Sequence, residues 1–230
     1  MDRRFVVIAV VACSFGQSSA AILFESSALG VTGNTSGFVV ASTQILAARF
    51  SLTQTAEVSA VGGNIGGGEI FAAILRMSGP TSLPSGSPFD DSTLAATLLT
   101  PGLASDVIVP LNVRLAPGDY ALVFGSGYYG ATGNGYMPFQ NIELSTPETY
   151  FHWRGEFLPH GWRTDGGTQA TRFVVYGEIV PEPSTAVMGI MGGAALTLAC
   201  ARRASTRKGA TIATLVILAA ATATHRRRIT

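Results

Sequence analysis

The stretch Gly62-Gly63-Asn64-Ile65-Gly66-Gly67-Gly68 has the glycine density of a loop that cradles phosphate. Such a loop must continue into a lysine and a hydroxyl residue at the head of a helix, and Gly68 and Glu69 stand there instead, ahead of a strand-like run. A flexible hairpin connection is the expectation. Ser126, in Phe124-Gly125-Ser126-Gly127, lacks the first glycine of a nucleophile elbow and the helix that must follow one, so it reads as loop. His152 and His160 lie eight apart with Glu156 and Asp165 nearby, and two imidazoles with a carboxylate can bind a metal. His152, however, falls in a strand-like run beside Tyr150, Phe151 and Trp153, which favours a packed or surface histidine. Asp90, Asp91 and Asp106 lack the alternating carboxylate spacing of a calcium loop. The sequence therefore assigns no metal, no cofactor and no catalytic residue. A secreted polysaccharide hydrolase, the enzyme alternative, needs two carboxylates about 5 to 10 Å apart in a groove. Glu143, Glu148, Glu156 and Asp165 are the candidates.

The richest chemical feature is aromatic. Tyr128, Tyr129, Tyr136, Phe139, Tyr150, Phe151, Trp153, Phe157 and Trp162 all fall within 35 residues. Strand alternation puts Phe151 and Trp153 on one face, and Tyr150 and His152 on the other. Aromatic side chains supply much of any sandwich core, so packing and loop clasping are the plain reading. The sharper reading makes Tyr128, Tyr129, Trp153 and Trp162 candidate carbohydrate contacts, flat rings that stack on the apolar faces of sugars, with Arg154, Arg163 or Asp165 at their flanks.

The elements that must hold these rings are short apolar runs punctuated by Gly, Pro, Ser, Asn and Asp, with no sustained helical period. Candidate strands are Gly37–Val40, Gln44–Leu52, Glu57–Val61, Ile70–Met77, Val107–Leu115, Tyr120–Gly125, Tyr150–Phe157 and Thr171–Ile179. Val107 to Leu115 alternates apolar and polar, with Pro110 pointing to an edge or a bulge. Ala116-Pro117-Gly118-Asp119 is a tight turn before a strand, a pattern met in exported sandwich domains. The Ser-, Pro- and Gly-rich connection from Ser78 to Ser105 is expected to cross between sheets. Together these predict an all-β ectodomain, a jelly-roll-like β-sandwich. A β-solenoid is the alternative, but no repeat of fixed period is present.

Charge divides the chain of 230 residues. Between Ala21 and Glu182 stand six arginines and no lysine against thirteen acids, a net of −7, while the remaining basic residues lie at the two ends. An anionic body does not suit nucleic acid, whose phosphates call for a clustered cationic face. Both cysteines, Cys13 and Cys200, lie in apolar terminal segments, so the middle has no disulfide or thiolate chemistry.

Met1-Asp2-Arg3-Arg4, the apolar run Phe5 to Cys13 and the small-residue stretch Ser14 to Ala20 form the three parts of a secretory signal, with cleavage expected after Ala20. At the other end, Val180-Pro181-Glu182-Pro183-Ser184-Thr185 precedes an uncharged run, Ala186 to Ala201, and then Arg202 and Arg203. The prolines break the preceding strand, the run is long enough for a short membrane helix, and the arginines keep to the cytoplasmic side. The order of Val-Pro-Glu-Pro-Ser-Thr, apolar helix and Arg-Arg resembles the PEP-CTERM sorting signal of bacterial exosortase substrates. That resemblance covers about a tenth of the chain. It implies recognition near Pro181-Glu182-Pro183 by an exosortase-type membrane protease, transient membrane attachment through the tail helix, and transfer of the domain to the cell envelope or extracellular matrix. It also implies association with exopolysaccharide and biofilm. The chain departs from the pattern in continuing through a second apolar run, Ala210 to Thr224, to His225-Arg226-Arg227-Arg228.

The expected organisation is thus a signal peptide at 1–20, a β-sandwich ectodomain at 21–179, the sorting signal at 180–208 and an atypical tail at 209–230. The expected function is that of a non-enzymatic, exported surface or matrix protein. Its partners would be the secretion machinery, the sorting protease, the membrane and extracellular polysaccharide. A permanently anchored single-pass surface protein is the remaining alternative.

Overall fold

In the run from Val107 to Leu115 the odd-numbered side chains, Val107, Val109, Leu111, Val113 and Leu115, pack into the main core. Ile108, Pro110, Asn112 and Arg114 between them are exposed. That period of two is what a pleated strand with one dry face requires. The computed structural model, which describes residues 20–86, 88–89, 92–155, 161–164 and 170–180, extends the same logic through the whole domain.

The strands are β1 (Ala21–Glu25), β2 (Ser27–Ala28), β3 (Phe38–Val40), β4 (Gln44–Leu52), β5 (Ala56–Gly67), β6 (Ile70–Arg76) and β7 (Thr93–Leu99). They continue with β8 (Gly102–Leu115), β9 (Gly118–Gly125), β10 (Gly135–Met137), β11 (Ile142–Glu143), β12 (Tyr150–Arg154), β13 (Gly161–Arg163) and β14 (Phe173–Ile179). A single 3-10 turn, Pro147–Thr149, leads into β12. The domain is all-β. One six-stranded sheet runs β1-β14-β5-β10-β3, with β8 on the other side of β5. The second runs β13-β12-β4-β9-β6-β7, and β11 pairs with β2 as a small third sheet. The strand pairs are antiparallel, which is not the parallel stacking of a solenoid.

From β3 to β10 every connection but β6–β7 hands the chain from one six-stranded sheet to the other, and the two sheets share one core. Val61, Ile65, Leu111, Phe173 and Val175 come from the first sheet; Leu46, Phe50, Ile74, Tyr120, Leu122 and Tyr150 come from the second. Each such large side chain removed from water contributes about 1.5–3 kcal/mol. The Ala116–Asp119 turn is closed by Tyr120, whose Oη donates to the Ala116 carbonyl at 2.6 Å. This bond spans the turn at the entry to β9, as in a tyrosine corner.

Pro110 occupies an edge strand, because β8 pairs only with β5, and it also adjoins a bulge, because the register slips between Val58 and Ala60 opposite it. One expectation is corrected. Gly62 to Gly67 are not a loop but the second half of β5, and only Gly68 and Glu69 connect it to β6 in the other sheet. The ring of Tyr136 lies where a Cβ on Gly66 would stand, and Gly67 has φ +116°, so the run admits close neighbours rather than flexibility. The stretch from Ser78 to Ser105 does pass from the second sheet to the first, but it forms β7 on the way, which pairs with β6 in the second sheet. The crossing comes later, at Pro101-Gly102, where Gly102 has φ +76°.

The outer face of the first sheet is sealed by polar contacts. Asn64, fully buried, donates to Asn141 Oδ1 at 3.0 Å, and Asn141 donates to the carbonyls of Pro138 and Ala170, both at 2.8 Å. Arg172, 4 % exposed, forks onto Asp106 (Nε to Oδ1 2.8 Å, Nη2 to Oδ2 3.3 Å), and its Nη1 donates to the Ser27 carbonyl and meets Glu25.

β1 begins at Ala21, β14 ends at Ile179, and the Val180 N–H closes on the Thr55 carbonyl at 2.8 Å. The compact unit that contains the sheets ends at Val180. Among the described residues no helix is long and apolar enough to cross a membrane. The signal segment up to residue 19, Pro181, Glu182, Pro183, Ser184, Thr185, Arg202, Arg203 and the tail at 209–230 lie outside the described residues.

Candidate functional site

The second sheet is covered on both faces, and its outer face explains the aromatic run. Along that face Ala47, Ala121, Ala73 and Val123, from β4, β9 and β6, are buried with Phe71, Phe151 and Trp153 in a second apolar cluster. Phe89, from the connection between β6 and β7, packs against it among the rings. Phe89 is 5.6 Å from Tyr128, 6.0 Å from Tyr129, 6.0 Å from Phe71 and 5.9 Å from Trp162, centroid to centroid. Trp162 Nε1 donates to the Pro88 carbonyl at 2.8 Å, which pins the same connection. Its ring continues the cluster at 5.2 Å from Phe151 and 6.0 Å from Trp153. Ring pairs at these separations each add about 0.5–1.5 kcal/mol beyond the area they bury.

Tyr128 and Tyr129 project from the turn between β9 and β10. The turn is held by Gly127 N to Ala131 O and Ala131 N to Tyr128 O, both 2.9 Å. Tyr129 sits at φ +53°, a left-handed conformation that costs a residue with a Cβ about 1–2 kcal/mol. Its ring meets Phe71 edge-on at 5.0 Å, and its hydroxyl bonds Thr93 Oγ1 at 2.6 Å, which offsets the strain. Tyr128 is 38 % exposed and Tyr129 41 %.

The structure thus brings the four candidate sugar contacts into one cluster but gives them unequal access. Tyr128 and Tyr129 form an exposed shelf, and Trp162 is half-buried at its far side. Trp153 is 6 % exposed and belongs to the core beneath, so it has no open face for a sugar and serves as floor. Trp162 lies on β13, paired with Trp153 of β12. As alternation requires, Phe151 and Trp153 face the outer core while Tyr150 faces the inner one, where its hydroxyl meets Ser27 Oγ at 2.8 Å.

The other chemical candidates do not converge. His152 is 1 % exposed within β12, and His160 lies outside the described residues. Among the described residues no group of three or more His, Cys, Asp or Glu side chains could hold a metal. Asp106 is engaged by Arg172, and Asp90 and Asp91 are outside the description. Ser126 is buried, with its hydroxyl 3.4 Å from the Ala131 carbonyl. Glu143 on β11 and Glu148 on the 3-10 turn are both exposed, whereas Glu156 and Asp165 lie outside the described residues.

Sequence reasoning missed Arg49. It stands in β4 among buried apolar neighbours, is 8 % exposed, and holds its guanidinium 4.5 Å from the centroid of the Phe151 ring. Nε donates to the Ser82 carbonyl at 3.0 Å and Nη1 to the Glu148 carbonyl. Burial pushes the Arg49 guanidinium below its ordinary value. The one available signal was a lone charge inside the run Ile45 to Phe50. No family model matches this sequence, and no curated protein is detectably similar to it.

Proposed function

We propose that this chain is an exported cell-surface or extracellular-matrix protein, non-enzymatic, whose domain is a jelly-roll β-sandwich delivered by its two terminal segments. The signal at 1–20 engages the secretion machinery. Val180, Pro181, Glu182, Pro183, Ser184 and Thr185, with the apolar run and Arg202 and Arg203, form a PEP-CTERM-like signal, a substrate for an exosortase-type membrane protease. The inner-membrane-attached precursor yields a mature form at the envelope or outside it. The exposed Tyr128–Tyr129 shelf, extended by Trp162, contacts extracellular polysaccharide.

One observation carries the reading: the fold closes on itself between Ala21 and Val180. Ala21 pairs with Gly177, so the first and last strands are neighbours, and the final backbone bond runs from Val180 to Thr55. Both terminal segments can therefore be cut away without removing a strand of the described sheets. The exposed rings of Tyr128 and Tyr129 offer apolar faces, which supports a binding surface.

The test is intact-mass analysis of the protein recovered from envelope and medium fractions of its host, with and without the sorting protease. A mature chain beginning at Ala21 and ending near Glu182, dependent on the protease, is the expected result. A chain that keeps Ala186–Ala201 in both strains would overturn the sorting reading in favour of a permanent anchor.

A further inference from the structure

Arg49 lines a cleft of about 340 Å³ shared by β1, β4, the connection after β6 and the 3-10 turn. β12 pairs with β4 only from Gln44 to Ala48, so Arg49, Phe50 and Ser51 lie beyond that pairing, where the Glu148 carbonyl of the 3-10 turn accepts from Arg49. The opening left between the sheets is small but within the range of ligand pockets, about 300–1,000 Å³. Leu23, Phe24 and Pro80 give it apolar walls over a floor of Phe50, which is 6 % exposed and stacked on Phe24, and the hydroxyl residues Ser51, Thr146 and Thr149 line it beside Arg49.

The guanidinium is the unusual element. A buried cation is ordinarily paired with a carboxylate, as Arg172 is with Asp106. Arg49 has only two backbone carbonyls and an aromatic face; its Nη2 is buried without a partner, and none of the ion pairs among the described residues includes it. Its positive charge, in a region of low polarisability, is left uncompensated. Glu148, the one acid lining the cleft, is fully exposed, and its carboxylate is held by its own backbone N–H and the Thr146 hydroxyl. Water screens that charge far more than it screens Arg49.

We infer that this cleft is a binding site for an acidic saccharide, a uronate unit whose carboxylate compensates Arg49 while its apolar face lies against Leu23, Phe24 and Pro80 and its hydroxyls bond Ser51, Thr146 and Thr149. A simple anion would leave the apolar walls unused. A neutral sugar would leave the charge of Arg49 unmet. The site is distinct from the tyrosine shelf and does not depend on the sorting reading.

The test titrates the exported protein with an oligouronate, with the same oligosaccharide after reduction of its carboxylates, and with acetate, following binding by calorimetry and amide shifts. The oligouronate is expected to bind about tenfold or more tightly than the reduced form, as loss of a charge-assisted bond dictates. Arg49→Gln should abolish that preference, and Thr149→Val, which leaves the buried cation alone, should weaken binding several-fold. Glu148→Gln, which removes repulsion at the rim, should tighten the oligouronate a few-fold and leave the reduced sugar unchanged. Melting temperatures establish that each variant is folded; if Arg49→Gln is not, the Thr149→Val and Glu148→Gln results decide. Equal binding of acidic and reduced oligosaccharides, equal binding of acetate, or no binding overturns the inference. So does binding that survives Thr149→Val but is lost in Tyr128→Ala, an outcome that would place the sugar on the tyrosine shelf instead.

Discussion

Replacing Arg172 by Met tests whether the outer face of the first sheet is fastened by one cation. Asp106 lies opposite Asn64 on β5, and Arg172 precedes Phe173, the partner of Gly63. Reaching from β14 to β8 means passing the β5 lane, about 10 Å at a strand spacing of roughly 4.8 Å. Arginine is long enough to do so and to arrive with a fork. The guanidinium is 4 % exposed and also engages Glu25 on β1 and the Ser27 carbonyl, so it joins β1, β8 and β14. Breaking a buried pair by removing one partner costs about 3–5 kcal/mol. The side chains of Asp106 and Glu25 are 25 % and 21 % exposed, so partial hydration of the abandoned carboxylates favours the lower end, about 3 kcal/mol. For a domain of this size that is a fall of about 6–12 °C in Tm, measured by calorimetry and checked by urea unfolding. Arg172→Met with Asp106→Leu should recover at least half of the loss, because one stranded charge is gone. Hydrogen exchange should quicken first in β1, whose only strand neighbour is β14. A single variant within about 0.5 kcal/mol of the parent, or a double variant no better than the single, would refute the argument; the first bound is the ordinary range for a surface change.

Four further outcomes follow from the packing. Gly66→Ala should cost about 2 kcal/mol by displacing Tyr136, whose hydroxyl donates to the Asn34 carbonyl at 2.9 Å, and the loss should shrink in a Tyr136→Ala background on a double-mutant cycle. Tyr120→Phe removes the corner bond to Ala116 and should cost about 1 kcal/mol in urea unfolding, with the strands otherwise unchanged by NMR. Phe89→Ala should cost about 2–3 kcal/mol, less than a fully buried ring, and should raise hydrogen exchange over 78–92 before any strand of the second sheet. The Glu148 carboxyl is held below its ordinary 4.5 by its own backbone N–H and by the Thr146 hydroxyl, which both favour the ionised form. A depressed folded value means that its contribution is complete above about pH 4.5 and is lost as pH falls through the folded pKa. An NMR titration should find that pKa moving back up in Thr146→Ala.

How much of this was legible depends on what a single segment can reveal. Val107–Leu115 declared its two faces because β8 has a wet outer side, and Gln44–Leu52 was bounded correctly by its apolar density. β7 escaped because Thr93-Leu-Ala-Ala-Thr-Leu-Leu99 has small residues where alternation should show. β10, β11 and β13 are two or three residues long, too short to carry any period. The glycines of β5 spell a loop in isolation, and only Tyr136, seventy residues on, explains why Gly66 has no side chain. The aromatic cluster was half visible in the same way. Tyr128, Tyr129, Trp153 and Trp162 are close in sequence, but Phe71 and Phe89, around which they assemble, come from another part of the chain. Nor does any local pattern distinguish an exposed ring from a floor, which is why Trp153 looked equivalent to Trp162.

The order of the strands bears on the route proposed for export. β14 lies between β1 and β5, and Phe173, Val174 and Val175 within it are fully buried. The first strand can therefore be paired, and the core completed, only after the last strand is available to the fold. A cut within Phe173–Ile179 would take part of β14 with it, exposing core and freeing β1, whereas a cut within Pro181–Thr185 spares every backbone bond of the sheet among the described residues. If the proposed sorting protease acts there, the placement of its motif directly after the final strand follows from folding as much as from recognition. Shortening the chain end by end should then give a sharp threshold. Chains ending at Val180 should unfold cooperatively like the longer protein, and chains ending at Phe173 should lose the cooperative transition altogether. A gradual decline in Tm across that interval would show that β14 is not the closing strand and would remove the folding argument for where the motif sits.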